Sequence, residues 1–531
     1  MKIVIAEKMS PAAIDLLRQE PWELVLPEQA AGKLQEQLAD ADALIVRSAV
    51  QVDAALLAHA TKLRVIGRAG VGVDNIDLEA ATKKGIAVMN TPGANAVAVA
   101  EHTLGLMLSL ARHLSRATET TRAGKWEKKS LEGTELRGKT LGVVGLGRIG
   151  MEVARRARAF QMEVVAHDPF IPVTVARDAG IRLASLEEVF AAADYLSLHV
   201  GLTPQTQGMI NATSLAKMKK GVRIVNCARG ELVDEAALAQ ALQSGHAGGA
   251  ALDVFTEEPP KNSPLLSLPN VLCTPHIAGS TREAQEAVGI QIVMQVREYL
   301  KHGVIQNAVN VPSVSHDEYV AMQPYIVLAE RLGSFLAQVS GGALTEISVR
   351  FSGQIAEWRT ELIRNAAIKG VLNQMAAENA NMVNAAAIAA ERGINVHESK
   401  KERSSIGGAG NVISLMLCAG DKTHSAKGAV LHGSVPRLLQ LDDIDIEAPL
   451  GQSLIFVRNR DVPGVIGRIG TVLGERGINI GNFALGRGER RPAGEPAEAI
   501  AVVQVDEPAP QRVIDELRKI EAMHDVRSVR L

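Results

Sequence analysis

Apolar runs of four to six residues alternate with amphipathic stretches through the first 300 positions. Lys2-Ile-Val-Ile-Ala6 is a strand pattern, followed by a helical pattern at 11–20, a strand at 43–46 and a helix at 52–59. Two more strands follow at 64–67 and 87–90. Strands alternating with helices predict a mostly parallel sheet covered by helices. A long apolar helix at 98–116 carries the chain out of this unit. The polar stretch 117–140 reads as an exposed crossing that reaches a partner subunit in a homodimer, or as a solvated loop. Repeated strand–helix pairs resume at 140, with later strands at 195–200, 223–226, 249–253 and 271–274. A second long helix at 280–301 is placed to return the chain to the first unit.

Beyond residue 306 the pattern changes. The segment 306–450 has an alanine-rich run at 376–392, a strand-like run at 411–418, a glycine-rich loop or anion-facing backbone at 407–410, and a hinge or turn at Gly341-Gly342. It reads as an α+β domain. Residues 452–531 follow the order βαββαβ, the ferredoxin-like pattern.

Within this frame, one stretch carries specific chemistry. The strand at 140–144 runs into Gly145-Leu-Gly147-Arg148-Ile149-Gly150 and then a helical pattern. That is the layout that sets a dinucleotide pyrophosphate on a helix N-terminus. Gly145 allows the turn, Gly147 lets backbone approach phosphate, and Gly150 lets strand and helix pack closely. Asp168, eighteen residues beyond Gly150, stands where an acid accepts hydrogen bonds from ribose and repels a 2′-phosphate. NAD is therefore the expected cofactor.

Transfer of hydride from an alcohol needs a base for the hydroxyl proton. His276 follows a strand end and is the candidate, with Glu258 on its other ring nitrogen and Arg229 offering a donor fork to a carboxylate. Each also has a plain reading, as one of thirteen histidines, as a turn residue, or as a surface arginine. Arg47 and Arg68 follow strand ends and either hold a small anion, together with backbone N–H groups of the 68–72 loop, or form surface salt bridges.

Composition narrows the class. A chain of 531 residues predicts three or four domains, at about 150 residues each. Net charge is -2 and aromatics are 3%, so neither the basic patch nor the stacking platform of a nucleic-acid binder is expected. The three cysteines are far apart, which predicts neither a disulfide framework nor a metal site. With no apolar run long enough for a membrane span and no signal-peptide core at 1–6, a cytoplasmic enzyme is expected.

Several motifs occur together and in order: Ile45-Val-Arg-Ser48, Gly67-Arg-Ala-Gly-Val-Gly-Val-Asp-Asn75, Met89-Asn-Thr-Pro92, the glycine turn, Asn226-Cys-Ala-Arg-Gly230, Ala251-Leu-Asp-Val-Phe-Thr-Glu-Glu-Pro259 and Thr274-Pro-His276. In these segments the chain resembles the D-isomer-specific 2-hydroxyacid dehydrogenases. The C-terminal half, including Asn381-Met-Val-Asn-Ala385 and Glu391-Arg-Gly-Ile394, resembles the long form with intervening and ACT domains. The resemblance implies two Rossmann-like doubly wound domains followed by an α+β intervening domain and a βαββαβ ACT domain. It divides the chain into a discontinuous substrate domain (1–95 and 276–305), an NAD-binding domain (96–275), an intervening domain (306–450) and an ACT domain (451–531). It implies Arg229, Glu258 and His276 as catalytic, with His276 as acid/base. NAD contacts would come from Gly145, Gly147, Arg148, Ile149, Gly150, Asp168, Val200, Cys227, Ala228, Arg229, Asp253, His276, Ile277, Ala278 and Gly279. Substrate contacts would come from Arg47, Ser48, Arg68, Gly70, Gly72 and Asn95, and effector contacts to serine from Asn459, Asp461 and Asn479. The implied reaction is oxidation of 3-phospho-D-glycerate to 3-phosphooxypyruvate in serine synthesis; the long helices and the 117–140 crossing point to at least a dimer, a homodimer or homotetramer. Two segments depart from the resembling pattern, Leu441-Asp442-Asp443 and a charged insert at 487–496. Rival readings are another 2-hydroxyacid substrate, or an NAD-sensing scaffold without catalysis.

Overall fold

The computed structural model describes residues 1–375, 379–402, 410–420, 422–488 and 497–531. The first sheet is entirely parallel, in the order Glu23–Val25, Lys2–Ile5, Ala43–Val46, Val65–Arg68, Ala87–Met89. Its central strands are buried on both faces, as their unbroken apolar runs require. Residues at 52–59, expected as one helix, divide. Val52 bridges Ile76, and Asp53 caps a shorter helix, Ala54–Ala58, by accepting from the Leu56 N–H. The helix Arg282–His302 packs back on this sheet, placing Ile292 and Val296 in a core with Ile3, Ile5 and Ala43.

The second sheet is parallel too, in the order Val271–Cys273, Ala247–Leu252, Val222–Asn226, Tyr195–Leu198, Thr140–Val144, Glu163–His167, Arg182–Leu183. Strand order reverses direction between Tyr195–Leu198 and Thr140–Val144, so the glycine turn after Val144 lies at the switch point where such sheets open a crevice. The first sheet has its own switch between Lys2–Ile5 and Ala43–Val46, directly before Arg47.

The expected helix at 98–116 is two helices, Ala96–Arg112 and Leu114–Arg122, broken where His113 turns left-handed at φ 52°. The second buries no residue, which is why its polar sequence read as part of a crossing.

Two α+β units complete the chain. A six-stranded mixed sheet runs Asn395–Lys401, Glu346–Ser352, Val412–Ala419, Lys422–Leu431, Val435–Leu441, Ile444–Pro449. It is covered by the helices His316–Ser340 and Glu361–Met375. Asp442 takes the left-handed turn position at φ 52° and binds the Arg458 guanidinium at 2.7 Å. The glycine-rich loop at 407–409 and most of the insert at 487–496 lie outside the described residues. Gly341 and Gly342 both have positive φ and follow the helix His316–Ser340.

The last sheet is antiparallel, ordered Ile480–Arg487, Glu498–Val505, Ser453–Arg460, Met523–Arg530, with helices Val465–Glu475 and Gln511–Arg518 on one face. Its other face is also covered. Phe456, Ile500 and Val502 join the core of the preceding unit, and Phe335 meets Phe456 edge-on with ring centroids 6.1 Å apart. Burial of a ring on this scale predicts that Phe335→Ala destabilises this contact by about 3–5 kcal/mol. Two resolved thermal transitions in place of wild-type behaviour would report it. Among the described residues no helix is long and apolar enough to cross a membrane.

Candidate active site

The glycine turn is built as its spacing demands. Gly145 has φ 92°, and a Cβ there would stand 2.6 Å from the His199 carbonyl oxygen. A Cβ on Gly150 would stand 2.0 Å from the Gly145 oxygen, whereas one on Gly147 would meet nothing within 4 Å. Two of the glycines are thus required by close backbone packing, and the third faces open space. The following helix, Arg148–Ala159, has no acid in its own first turn, so its side chains do not neutralise its positive N-terminal end. An anionic pyrophosphate fits this cradle. Asp168 directly follows the neighbouring strand, Glu163–His167, and accepts from Leu146 N and Phe170 N, each at 2.8 Å. Arg148 donates to the Pro92 carbonyl, tying the turn to the segment between the two sheets. Val200 lines the same turn, against Gly145.

The loops after the other strands hold the polar residues. His276 has φ 52° and donates its backbone N–H to the Asp253 carbonyl at 2.8 Å. Its Nδ1 lies 2.7 Å from Glu258 Oε2, while Glu258 Oε1 accepts from Phe255 N. Nε2 carries no hydrogen bond among the described residues, and the ring is 52% exposed. Asn226, fully buried, shapes the Arg229 turn by binding the Arg229 carbonyl and the Ala228 N–H. Gly230 packs so tightly on Phe255 that a Cβ would stand 2.0 Å from its carbonyl carbon, which sets the Arg229 turn against the loop bearing Glu258.

Asp253 is completely buried. Burial pushes its pKa upward, but hydrogen bonds from His102, Thr274, Ile277 N and Ala278 N outweigh this and hold it below the ordinary carboxylate value. It is therefore an anion that fixes the backbone just after His276. Gly279 lies against Asn95. Burial pushes the Cys227 thiol up to about 12, so it stays neutral.

His199, at the end of the strand Tyr195–Leu198, is pushed down to about 4 by burial, from an unfolded value near 6.5. The unfolded chain therefore binds this proton first on acidification. The stability it contributes is complete above pH 6.5 and is lost as pH falls toward 4. Denaturant unfolding at pH 7 and pH 5 should show His199→Asn losing less stability on acidification than wild type.

On the opposite side of the cleft, Arg47 is held by its loop. The Glu7 carboxylate accepts from Arg47 N, Ala49 N and Val50 N, and Asn75 binds the Arg47 and Val50 carbonyls. A cavity of about 520 Å³ opens at Arg47, lined also by Lys8, Ser10, Ala69, Arg282 and Glu286. Ser48 is exposed beside it. Arg68 is pushed down by burial and then by the nearby Arg229 charge, and its Nε is buried without a partner, as is Asn95 Oδ1. Gly70 lies against Arg68 and Gly72 against Arg229. Two neighbouring guanidiniums, one with an unpartnered Nε–H donor, suit an anion, whereas the Asn95 Oδ1 acceptor suits a ligand hydroxyl.

Sequence reasoning missed Lys8, Arg282, Glu7, His102 and Asp74. Glu7 acts forty residues away from the loop it holds, so no local spacing marks it. Asp74 sits inside a quoted motif, but its partner, Arg229, is 155 residues distant.

The three residues expected to bind an effector are not brought together within one chain. Asn459 stands opposite Ala499, whereas Ile480, next to Asn479, stands opposite Val505, at the far end of the same sheet. Asp461 pairs with Arg487 at 3.3 Å, and Asn479 donates to Asp506 at 2.8 Å.

Comparison with known proteins agrees with this architecture. The pattern of the D-isomer specific 2-hydroxyacid dehydrogenase NAD binding domain matches residues 104–278, the D-3-phosphoglycerate dehydrogenase intervening domain 321–442, and the ACT domain 453–522. The chain is 41% identical over 532 residues to D-3-phosphoglycerate dehydrogenase of Methanocaldococcus jannaschii, covering 100% of both chains. It is 37% identical over 530 residues to the enzyme of that name from Bacillus subtilis, covering 100% of this chain and 99% of that one. Among solved structures, D-lactate dehydrogenase from Aquifex aeolicus complexed with NAD and lactic acid is similar with a TM-score of 0.52 at 31% identity. The match spans 59% of this chain and 100% of that one. The chain thus belongs to the D-3-phosphoglycerate dehydrogenase family, and is an NAD-dependent dehydrogenase with NAD-binding, intervening and ACT domains.

Proposed function

We propose that the chain oxidises 3-phospho-D-glycerate to 3-phosphooxypyruvate with NAD, the first step of serine synthesis. The observation that carries this is a set of cations around Arg47: Lys8 and Arg282 line one cavity with it, beside Glu286, and Arg68 lies within electrostatic reach of both Arg47 and Arg229. A phosphorylated hydroxy acid brings two anionic ends to these groups. Bound NAD supplies the hydride acceptor. The glycine turn and the helix beginning at Arg148 would hold its pyrophosphate. Asp168 would hold the ribose, and residues 276–279 with Cys227, Ala228 and Asp253 would border its reactive end.

His276 takes the hydroxyl proton at Nε2, the nitrogen left open by the bond between Nδ1 and Glu258. Glu258 holds the ring's orientation and stabilises the imidazolium formed. Arg229 clamps the carboxylate through its donor fork, and Arg47, with Ser48 and Arg68, holds the phosphate. Arg47→Ala should therefore raise KM for 3-phosphoglycerate at least about tenfold more than for unphosphorylated D-glycerate, since a charge-assisted contact is worth about 1.5–3 kcal/mol. Equal losses with both substrates would favour a glycerate or hydroxypyruvate reductase instead.

Asp168 predicts cofactor choice. Asp168→Ser should bring the NAD/NADP ratio of kcat/KM toward unity, because the repulsion of the 2′-phosphate is removed.

The ACT domain is read as a sensor for serine. Because Asn479 lies at the far end of the sheet from Asn459 and Asp461, two copies set side by side would complete the site. The outer edge of Met523–Arg530 is capped by Gln338, which binds Arg530 N and O, and at the opposite edge the Gly486 end of Ile480–Arg487 packs on Ile444–Pro449. Serine should lower activity in wild type and leave Asn479→Ala unaffected; a wild type indifferent to serine would assign the domain another ligand.

A further inference from the structure

An ion pair spans the cleft between the two parallel sheets. Asp74 lies beyond the strand Val65–Arg68 of one sheet, and Arg229 beyond Val222–Asn226 of the other. Arg229 sets Nε at 3.0 Å and Nη2 at 2.9 Å from the same oxygen, Asp74 Oδ2, while Nη1 donates to the Ala228 carbonyl at 2.6 Å. Nε and Nη2 form the edge that a guanidinium offers to a carboxylate. Among the described residues the Asp74 carboxylate bonds only to Arg229, and its side chain is 62% exposed against 26% for the arginine. It therefore lies on the solvent side of the guanidinium, where a ligand arrives. Gly72 clears the space. A Cβ there would stand 1.8 Å from Arg229 Nη2 and 2.6 Å from Asp74 Oδ2.

We propose that Asp74 is a built-in stand-in for the substrate carboxylate. It occupies the donor edge of Arg229 in the free enzyme, holds that arginine beside Arg68, and is displaced when a 2-hydroxy or 2-oxo acid binds. This rests on the reading of Arg229 as the carboxylate clamp. The residue lowers affinity in exchange for keeping a catalytic cation oriented and offsetting the repulsion between the two like charges. An ion pair with one partner this exposed is weak, so the competition costs about three- to fivefold in affinity.

Calorimetric titration of oxalate into the full-length protein saturated with NADH tests this. Asp74→Asn should bind oxalate about three- to fivefold more tightly than wild type, with Asp74→Glu closer to wild type because it keeps the competing charge. In steady-state assays the gain of Asp74→Asn should fall in KM for the hydroxy acid and not in kcat. Oxalate binding that is unchanged or weaker in Asp74→Asn overturns the proposal. Arg229→Gln separates the two readings. If it binds oxalate as wild type does, the clamp itself is wrong. If it loses oxalate while Asp74→Asn is indistinguishable from wild type, only the displacement is wrong.

Discussion

Replacing His276 by alanine is expected to lower kcat by about two to four orders of magnitude, the usual contribution of a positioned general acid or base, while NAD still binds. The loop stays in place because its backbone is held separately, through His276 N to the Asp253 carbonyl and through Asp253 to Ile277 N and Ala278 N. The half-exposed ring contributes little packing. The left-handed φ of 52° is costly for alanine, so His276→Asn is the matched control, since asparagine tolerates that conformation. Both variants should lose turnover together. If asparagine restored activity, backbone strain and not the lost imidazole would explain the alanine result. Steady-state kinetics with NADH fluorescence titration on each variant distinguishes these outcomes.

Arg229→Ala is expected to lower kcat/KM by about two to three orders of magnitude, since truncating one partner of a hydrogen-bonded charge pair costs about 2–5 kcal/mol. The loss should be similar for phosphorylated and unphosphorylated substrates, because both present the carboxylate. That pattern is the opposite of the one expected from Arg47→Ala. A loss restricted to the phosphorylated acid would mean the two arginines had been assigned to the wrong ends of the substrate.

What the sequence showed about the site follows from where each signal is stored. The turn at Gly145–Gly150 is local: positive φ at Gly145 and the contact of Gly150 with the Gly145 carbonyl both lie within six residues. The sequence could therefore announce it. Strand ends bearing Arg229, Glu258 and His276 were legible because parallel strands place their carboxyl ends on one side. Asp74 and Glu7 were not, since their partners are brought near only by the packing of distant strands. Likewise Asn479 was grouped with Asn459 and Asp461 by resemblance, but the strand pairing puts it at the other end of the sheet. The break at His113 was hidden for a different reason. A single left-handed residue interrupts a stretch whose composition stays compatible with helix on both sides. In the intervening unit the six-stranded sheet was concealed by lengthy polar strands such as Asn395–Lys401, whose edge position leaves most of their residues exposed.

The proposed assignment of these cations to a phosphorylated hydroxy acid, with NAD as oxidant, is tested most directly by initial-rate assay of the purified protein with 3-phospho-D-glycerate, D-glycerate, D-lactate and D-2-hydroxyglutarate, each with NAD and with NADP. kcat/KM should be highest for 3-phospho-D-glycerate with NAD, and removing the phosphate or adding the 2′-phosphate to the cofactor should each lower it. Equal or better turnover of an unphosphorylated acid would contradict the assignment.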